Sequence, residues 1–535
     1  MIIALWLPAL VSLATTLALS WLLRPRPQPL WQRARSIRVA EIASWGLQFS
    51  FWAVLLQRPW FAAVVLASLQ LLIIQISNTK SRTLGEPFLF QDFEYFLDAI
   101  RHPRLYLPFF GIGLTIAASL AGLAAITAGF ILEPSLLAHG PGALATALLP
   151  GALALVALPF ALKRLPACTL DPVHDLHELG LSVSLWHQAR LLRQPLADDI
   201  GHPLFSRAPP DVDAAALPHV VIVQSESFFD PRDWYHNIRP EVLSHFDELC
   251  RNAVAHGPLT VPARGANTVR SECGFLTALP PEQLGGHRFN PYYQLAGRSV
   301  PNLVGQLRAL GYRTVAIHPW HASFYLRDRV FPRMGFDEFI AIEAFEPHLR
   351  DGQYIGDSAL AARARELLNE QRNGDDDRPL LVMIITMENH GPLHLEKTPE
   401  DAGVWYHEPA PAGCRELDVY LRHLHNADRM LMQLARTLGT QAAQGRPCAR
   451  DGILCFYGDH IPIMDHVYSA LDEPSGTTRY LLWSTAATPL DDSTARALDI
   501  TRLGPRLFEL VQHLGAGNAT PARGCKTMTS AGEAP

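Results

Sequence analysis

The chain has 535 residues, 48% of them hydrophobic, and a formal net charge of −6. This length exceeds one ordinary soluble domain, and the near-neutral charge provides no basic field for nucleic acid, so no nucleic-acid partner is expected. Residues 1–165 are mostly apolar, whereas the remainder has the composition of a globular protein. The seven cysteines include no Cys-x-x-Cys pair, which argues against a structural zinc knuckle.

Five apolar segments in this first part are candidates to cross a hydrocarbon core, which takes about 20 residues. They are residues 2–23, 42–56, 61–76, 107–132 and 143–162. The first lacks a small-residue cleavage site and is interpreted as an anchor rather than a removed signal peptide. The second is short and close to Glu41, so we expect a transmembrane domain of four or five helices at residues 1–165.

The charges around these segments leave the orientation open. Five arginines follow the first span, and positive loops favour the cytoplasm. Five full spans would then leave the C-terminal part in the cytoplasm. If residues 42–56 instead lie in the membrane interface, four spans put the C-terminal part outside.

Residues 166–217 are predicted to be an interfacial helix followed by a linker. Residues 176–192 have the pattern of an amphipathic helix, and Trp186 suits a membrane–water interface. A plain linker helix that packs on the globular domain is an equally good interpretation. Residues 208–217, which contain Pro209 and Pro210, are predicted to be an extended connector.

The remainder of the chain alternates between strand and helix patterns. Strands are predicted at residues 218–223, 313–317, 379–386, 453–457 and 478–483, and helices at 241–255, 300–310, 359–369, 417–438 and 500–512. This alternation predicts an α/β fold with a doubly wound sheet. A catalytic domain is expected at residues 218–515 and a flexible tail at 516–535.

Polar residues follow four of these strands: Glu226, His318, His390 and the pair Asp459 and His460. Open α/β sheets bind ligands at the carboxyl ends of their strands, and an Asp–His pair offers an oxygen and a nitrogen to one divalent cation. Each residue alone could be a helix cap or a solvated loop residue. Together they favour a site along one edge of the sheet.

Two other residue types suit phosphate chemistry. Thr268 lies where a loop enters a helix, and a hydroxyl there benefits from the helix dipole and from free backbone N–H groups. It could also be a simple N-cap. Arg327 and His318 could bind a phosphate group.

These residues stand in motifs that resemble the lipoteichoic acid synthase and phosphoglycerol transferase family, within the alkaline phosphatase and sulfatase superfamily. The motifs are Gln-Ser-Glu226-Ser, Asn-Thr268-x-x-Ser-Glu-x-Gly-Phe, His318 with Phe-x-x-Arg-Asp ending at Asp328, Glu-Asn-His390-Gly-Pro, and Phe-Tyr-Gly-Asp459-His460-Ile-Pro. They occur in order between residues 218 and 515. The apolar N-terminal segments are also similar to the multi-span anchor of that family.

The resemblance implies roles for individual residues. Glu226, Thr268, Asp459 and His460 would hold one divalent cation, manganese first, with magnesium or zinc as alternatives. Thr268 would be the nucleophile and His390 the residue that protonates a leaving oxygen. Three residues would cradle the phosphoglycerol group: His318, Tyr325 and Arg327. Tyr325 and Trp320 depart from the family pattern, which has Trp and an acid at these places, so head-group packing is expected to differ.

The implied protein is a transferase of the bacterial inner membrane, with a sulfatase-like catalytic domain facing the periplasm. It would move phosphoglycerol from phosphatidylglycerol to a hydroxyl of a periplasmic or cell-surface glycan or polymer, through a phospho-threonine intermediate, and release diacylglycerol. The chain is rich in alanine, leucine, arginine and proline, as are proteins from high-GC genomes, which often belong to organisms without lipoteichoic acid. A periplasmic glycan is therefore the expected acceptor.

Three alternatives remain. A phosphoethanolamine transferase on the same scaffold would need an ethanolamine pocket in place of the Phe-Tyr-x-Arg-Asp loop. A sulfatase or phosphatase is less compatible, because residues 262–275 contain no Cys/Ser-x-Pro-x-Arg motif. A non-catalytic membrane sensor would be free to lose any of Glu226, Thr268, Asp459 and His460, yet all four are present.

Overall fold

The computed structural model describes residues 2–95, 112–409, 412–443, 450–486 and 495–517. Its residues divide into two compact units, Met1–Pro195 and Leu196–Pro535. Some predictions lie outside the described residues: the start of the span at 107–132, two of the cysteines, and the tail from residue 518. The five cysteines identified as free are Cys168, Cys250, Cys273, Cys414 and Cys455.

The first unit is helical. Its helices are α1 (Ile2–Leu19), α2 (Arg35–Leu56), α3 (Pro59–Leu84), α4 (Ile112–Leu132), α5 (Pro141–Leu162), α6 (Pro172–Leu179) and α7 (Leu181–Leu191). By length and composition, α1 to α5 could each cross a membrane. The second candidate span was predicted at residues 42–56, but α2 begins at Arg35 and has 22 residues. The prediction was too short because the helix also includes the polar residues Arg35, Arg38 and Glu41.

Helices α2 and α5 pack closely through small residues. A Cβ atom on Gly46 would lie 3.0 Å from the Pro150 carbonyl oxygen, and one on Gly151 would lie 2.8 Å from Ser50 Cβ. The Gly151 N–H donates to Ser50 Oγ at 2.8 Å. Small residues let apolar helices approach until their backbones touch, which is how helices associate where lipid removes the hydrophobic driving force.

Two helices stand where one amphipathic helix was predicted at 176–192, so the prediction of a continuous helix was wrong. Gly180 separates α6 from α7 with a φ of 75°, a left-handed conformation that glycine adopts without strain. Arg33 lies against this break, where its Nη1 donates to the Leu179 carbonyl oxygen at 3.2 Å and is 3.6 Å from Glu41 Oε2. The hydrophobic pattern continues across Gly180 and so concealed the turn.

The second unit contains an eight-stranded sheet and a small hairpin. Its strands are β1 (His219–Ser225), β2 (Ala255–Thr260), β3 (Arg313–Ile317), β4 (Glu338–Ile340), β5 (Arg350–Asp351), β6 (Tyr354–Ile355), β7 (Leu380–Ile385), β8 (Gly452–Gly458), β9 (Thr478–Ser484) and β10 (Leu498–Asp499). Its helices are α8 (Pro203–Ser206), α9 (Ser244–Arg251), α10 (Thr268–Thr277), α11 (Pro281–Leu284), α12 (Pro291–Leu295), α13 (Leu303–Ala309), α14 (Arg327–Met334), α15 (Asp357–Asn373), α16 (Arg415–Ala443), α17 (Asp465–Leu471) and α18 (Ile500–Gly517).

The sheet has the strand order β10-β2-β9-β8-β1-β7-β3-β4. The strands from β8 to β4 run parallel, and β9 is antiparallel to both of its neighbours. Alternate residues of β1 point into different cores: Val220 and Ile222 into one, Val221 and Val223 into the other. Both faces of the sheet are therefore covered, and the predicted doubly wound α/β class is confirmed.

The helix predicted at 241–255 was wrong at its C-terminal end. Helix α9 ends at Arg251, and β2 begins at Ala255 and pairs antiparallel with β9. Gly257 and Pro258 made this strand resemble a turn. Gly257 has a φ of 148°, and a Cβ atom there would lie 2.5 Å from the Arg496 carbonyl oxygen, so the close approach of another chain segment selects glycine.

We expect Gly151→Ala to destabilise the helical unit, because the added methyl group collides with Ser50. Overpacking of this kind costs about 1–3 kcal/mol. The measurement is thermal unfolding of the purified chain in detergent. The matched control is Gly122→Ala in the middle of α4, where a Cβ atom meets nothing within 4 Å. The control should leave stability unchanged or raise it by up to about 1 kcal/mol. Equal shifts for both variants would contradict the packing described here.

Candidate functional site

The register of two parallel strands brings two acidic residues to the same edge of the sheet. Ser225 of β1 pairs with Gly458 of β8, so the residues that follow, Glu226 and Asp459, leave the sheet at the same level. The Glu226 N–H donates to Thr386 Oγ1, 2.9 Å away, and Thr386 directly follows β7. Three neighbouring strands thus end at one polar cluster.

A tight turn holds the carboxylates. Ser227 has a φ of 54°, its N–H donates to Asp459 Oδ1 at 2.8 Å, and its hydroxyl donates to Glu226 Oε1 at 2.9 Å. Gly458 lies against this turn, and a Cβ atom there would overlap the Phe228 carbonyl oxygen. Glycine is therefore needed at 458 for close backbone approach.

Glu226, Asp459 and His460 form a group whose potential ligand atoms all lie within 4.8 Å of one another. His460 Nε2 is 3.5 Å from Glu226 Oε1 and 3.5 Å from Asp459 Oδ2. His460 Nδ1 is 3.0 Å from the Ile461 carbonyl oxygen, to which it can donate as an N–H. That tautomer leaves the Nε2 lone pair directed at the carboxylates, as in a metal-ligating histidine.

The two buried carboxylates of this group favour a positive charge beside them. Burial, followed by the charge of Glu226, raises the pKa of Asp459 to about 7. Burial opposes the charged form of His460, but Asp459 and Glu226 together raise the pKa of His460 above its ordinary value. Two carboxylates held side by side in a buried place repel each other, so a cation there is stabilised.

The atoms available fit a divalent metal ion. Asp459 Oδ2 and His460 Nε2 are buried, and neither makes a hydrogen bond with any residue that the structure describes. Buried polar atoms without partners are rare and need an explanation, such as an ion. Carboxylate oxygens together with one imidazole nitrogen suit several divalent metals, including manganese and zinc.

Thr268 lies beside this group. It is the first residue of α10, it is only 8% exposed, and it is close enough to Asp459 to influence the pKa of that carboxyl group. The Ser271 hydroxyl donates to the Asp459 carbonyl oxygen at 2.6 Å, which ties the first turn of α10 to the end of β8. The Thr268 oxygen therefore combines a helix N-terminus with an adjacent cation site.

Backbone strain is concentrated around these residues. Four residues other than glycine have positive φ angles next to predicted site residues: Ser227, Asn267, Tyr325 and Leu326. Left-handed conformations of such residues cost about 1–3 kcal/mol and persist where the surroundings enforce them, often at functional sites. Asparagine favours this conformation, but neither residue type nor periodicity predicts the angles of Ser227, Tyr325 and Leu326.

His318 and Arg327 belong to a buried network centred on Glu272. Arg327 donates from Nε and Nη2 to the Glu272 carboxylate at 3.1 and 2.8 Å, and its Nη1 is 3.1 Å from His318 Nε2. Tyr292 donates to Glu272 Oε1 at 2.7 Å. Burial, followed by the charge of Arg327, lowers the pKa of His318 well below its ordinary value, so this histidine is neutral. The network uses much of the donor capacity of Arg327.

Tyr325 and His390 lie at the margin of the cluster. The Arg327 guanidinium carbon is 5.4 Å from the centre of the Tyr325 ring, and Glu226 and Asp459 are close enough to influence the pKa of Tyr325. His390 Nδ1 is 2.7 Å from the Gly391 carbonyl oxygen and 3.2 Å from the Tyr354 hydroxyl. Its Nε2 is left as the atom able to exchange a proton.

The predicted residues thus form two neighbouring groups. Glu226, Thr268, Asp459 and His460 meet directly, whereas His318 and Arg327 meet through Glu272. Sequence reasoning assigned no role to Glu272 or Tyr354. Glu272 stands within the Ser-Glu-x-Gly-Phe motif, which was a usable signal, but Tyr354 lies in the short β5–β6 hairpin and had none.

Several known proteins are similar to this chain. The capsular polysaccharide biosynthesis protein RkpI of Rhizobium meliloti is 26% identical over 476 residues, covering 83% of this chain and 81% of that protein. The Streptococcus pyogenes phosphoglycerol transferase GacH, solved with sn-glycerol-1-phosphate, is 19% identical, with a TM-score of 0.43 over 59% of this chain and 83% of that one.

A full-length membrane protein is also similar. The lipooligosaccharide phosphoethanolamine transferase A of Neisseria meningitidis is 13% identical and gives a TM-score of 0.49, covering 91% of this chain and 95% of that one. The family model described as Sulfatase matches residues 218–501, which is just over half of the 535 residues and includes every site residue discussed above. The chain therefore belongs to the sulfatase family.

Proposed function

We propose that the chain is a membrane-bound, metal-dependent transferase that moves phosphoglycerol from phosphatidylglycerol to a hydroxyl group of a cell-surface or periplasmic glycan. The observation that carries this proposal is the meeting of a buried threonine hydroxyl at a helix N-terminus, Thr268, with the ligand group Glu226, Asp459 and His460. The motifs around these residues, which resemble those of phosphoglycerol transferases, support the choice of donor.

In the first step the Thr268 oxygen attacks the phosphorus of the lipid head group. The phosphodiester bond to diacylglycerol breaks, and diacylglycerol leaves after its oxygen gains a proton. In the second step an acceptor hydroxyl attacks the same phosphorus and loses its proton, and the Thr268 oxygen leaves as the alkoxide with which the first step began. Direct transfer from the lipid to the acceptor would need no nucleophile on the protein. Two successive displacements therefore explain the use of a threonine hydroxyl.

Glu226, Thr268, Asp459 and His460 would hold one divalent cation. When bound, such an ion lowers the pKa of a neighbouring hydroxyl and neutralises charge on phosphoryl oxygens. The N-terminus of α10 adds backbone N–H groups and a partial positive charge on the same side. Manganese is our first choice of ion, with magnesium or zinc as alternatives.

His390 is suited to move the protons in both steps. Because its Nδ1 faces the Gly391 carbonyl oxygen at 2.7 Å, the neutral ring carries its proton there and presents Nε2 as a base. The protonated ring can donate from Nε2 to the departing diacylglycerol oxygen, and the neutral ring can then accept the proton of the acceptor. We assign Tyr325, together with His318 and Arg327, to the side of the pocket that receives the glycerol group.

The acceptor is proposed to be a glycan or a related polymer. A relative that aligns with 83% of this chain is named as a capsular polysaccharide biosynthesis protein, which supports a surface polysaccharide. A phosphoethanolamine donor on the same scaffold is the alternative that the experiments below separate.

The catalytic domain is proposed to face the periplasm, after five spans. This orientation puts the arginine-rich segment after α1 outside the cytoplasm, against the usual charge preference. Arg33 is one of these arginines, and its buried pairing with Glu41 at 3.6 Å reduces the effective positive charge of the segment.

A reporter fusion tests this orientation. Alkaline phosphatase fused after residue 517 should be active, since that enzyme folds only outside the cytoplasm. Fused after Gln57, between α2 and α3, it should be inactive. The opposite pattern would put the catalytic domain in the cytoplasm and remove a periplasmic acceptor.

Asp459→Asn should abolish tight metal binding at the Glu226, Asp459 and His460 group, because the amide cannot replace a charged ligand. We expect the affinity for the metal ion to fall by more than about 100-fold, because losing a residue that only supports a metal ligand already costs about 10–100-fold. The measurement is metal content of the purified chain by elemental mass spectrometry. Asp472→Asn is the matched control, because Asp472 is exposed. Unchanged metal content in the Asp459 variant would refute the assigned ligand.

Incubation with lipid vesicles and manganese tests the nucleophile and the donor together. We expect a glycerophosphate adduct on Thr268 with phosphatidylglycerol, and diacylglycerol release that falls by roughly 1,000-fold or more in Thr268→Ala. Thr268→Ser keeps a hydroxyl and should still form the adduct. An adduct only with phosphatidylethanolamine would replace the donor, and retained turnover in Thr268→Ala would remove Thr268 as nucleophile.

A further inference from the structure

A second group of titratable side chains, most of them buried, lies apart from the ligand group of the proposed reaction. Its members come from the β5–β6 hairpin, the start of α15, the segment after β7 and helix α16. They are Asp351, Asp357, Glu388, Glu396 and His423. The potential ligand atoms of Asp351, Glu388 and His423 all lie within 4.8 Å of one another. The proposed mechanism does not use this group, although Glu388 is the first residue of the Glu-Asn-His390-Gly-Pro motif.

His423 serves as a cation within this group. Its Nδ1 is 2.8 Å from Glu388 Oε1 and its Nε2 is 3.0 Å from Glu396 Oε2, so both ring nitrogens face carboxylates. Burial opposes the charged ring, but hydrogen bonds to Glu388 and Glu396 raise the pKa of His423 above its ordinary value. A histidine held in this way neutralises charge and has no free lone pair for a metal ion.

The charges of the group do not balance. Four carboxyl groups, those of Asp351, Asp357, Glu388 and Glu396, face two cations, His423 and Arg422. Arg422 Nη2 is 2.7 Å from Glu396 Oε2 and 3.6 Å from Asp351 Oδ1. Arg415 also approaches, but it donates to the Glu396 backbone carbonyl oxygen. The group is therefore short of two positive charges if all four carboxyl groups are ionised.

Asp357 is the residue that lacks compensation. Its side chain is fully buried, and neither of its carboxylate oxygens makes a hydrogen bond with any described residue. Its own N–H donates to Glu388 Oε2 at 2.6 Å, which holds the start of α15 against another carboxylate. Burial, followed by the charges of Glu388, Asp351 and Glu226, raises the pKa of Asp357 well above its ordinary value. An isolated buried carboxylate is costly and normally coordinates a metal or stays protonated.

The chain is shaped to let these carboxylates converge. A Cβ atom on Gly356 would lie 3.2 Å from Asp351 Cβ and 3.4 Å from Glu388 Oε2, and one on Gly352 would overlap the Glu396 carboxylate. Asn426 Nδ2 donates to Asp351 Oδ2 at 2.9 Å and to Glu388 Oε1 at 2.6 Å, which bridges the two. Glycine and a bridging amide thus hold like charges together where repulsion would separate them.

We propose that Asp351 and Glu388, whose potential ligand atoms lie within 4.8 Å of each other, form a second metal site together with the unpartnered buried carboxylate of Asp357. The site takes a hard divalent cation such as Ca²⁺, Mg²⁺ or Mn²⁺ through carboxylate oxygens. One such ion supplies the two positive charges that the group lacks. Glu388 is two residues before His390, so the ion also fixes the segment that carries His390. The inference does not depend on the proposed transferase reaction.

Metal stoichiometry of the full chain in detergent tests this site. Protein is saturated with Mn²⁺ and, separately, with Ca²⁺, freed of excess ion and analysed by elemental mass spectrometry. We expect two Mn²⁺ ions in the unmodified chain, one in Asp357→Asn, one in Asp459→Asn and none in the double variant. Asp375→Asn, at an exposed aspartate near the end of α15, should keep two.

Thermal unfolding provides a second measurement that does not rely on counting. Added cation should stabilise Asp459→Asn through the second site alone, and this stabilisation should disappear when Asp357→Asn is added. If Asp357→Asn fails to fold, Asp351→Asn takes its place, because Asp351 is only partly buried. Unchanged metal content in the Asp357 variant, or no cation-dependent stabilisation of Asp459→Asn, would overturn the proposal and leave Asp357 as a protonated acid.

Discussion

The parallel pairing of β1 with β8 is the constraint on which the site depends. Because Ser225 faces Gly458 across the ladder, the acidic residues that follow both strands leave the sheet together. A slip of one residue would turn the side chains of one strand to the opposite face and separate the two carboxylates. The two hydrophobic cores that clamp the sheet therefore also fix the spacing between Glu226 and Asp459.

Around that edge, buried charge is handled in two ways. Glu272 and Arg327 form a paired network in which hydrogen bonds satisfy most of the polar atoms, so it holds its shape without help. Asp459 and Asp357 are different, because one carboxylate oxygen of Asp459 and both of Asp357 lack a hydrogen bond to any described residue. Satisfied networks make a core rigid, whereas unsatisfied buried acids mark the positions where a ligand contributes to the stability of the fold.

The sequence predicted the central strands within about two residues, because β1, β7 and β8 are short continuous apolar runs, which are typical of buried parallel strands. It missed β2, where Gly257 and Pro258 resemble a turn. The residues at strand ends were found by position, and Thr268 by its motif. Asp351 and His423 were not found, because they lie in a two-residue strand and within a long helix, and long-range packing alone joins them to Glu388.

Gly458 shows that mutational data alone would not separate structural residues from chemically active ones at such a site. Any larger side chain there would push the Phe228 carbonyl away and displace the turn that orients Asp459. In a saturation screen this glycine would tolerate replacement as poorly as its acidic neighbour, although it touches no substrate. Loss of function at Gly458 would result from a clash with the backbone, whereas loss of function at Asp459 would result from the missing carboxylate. Steric crowding therefore restricts which side chains can stand at this position.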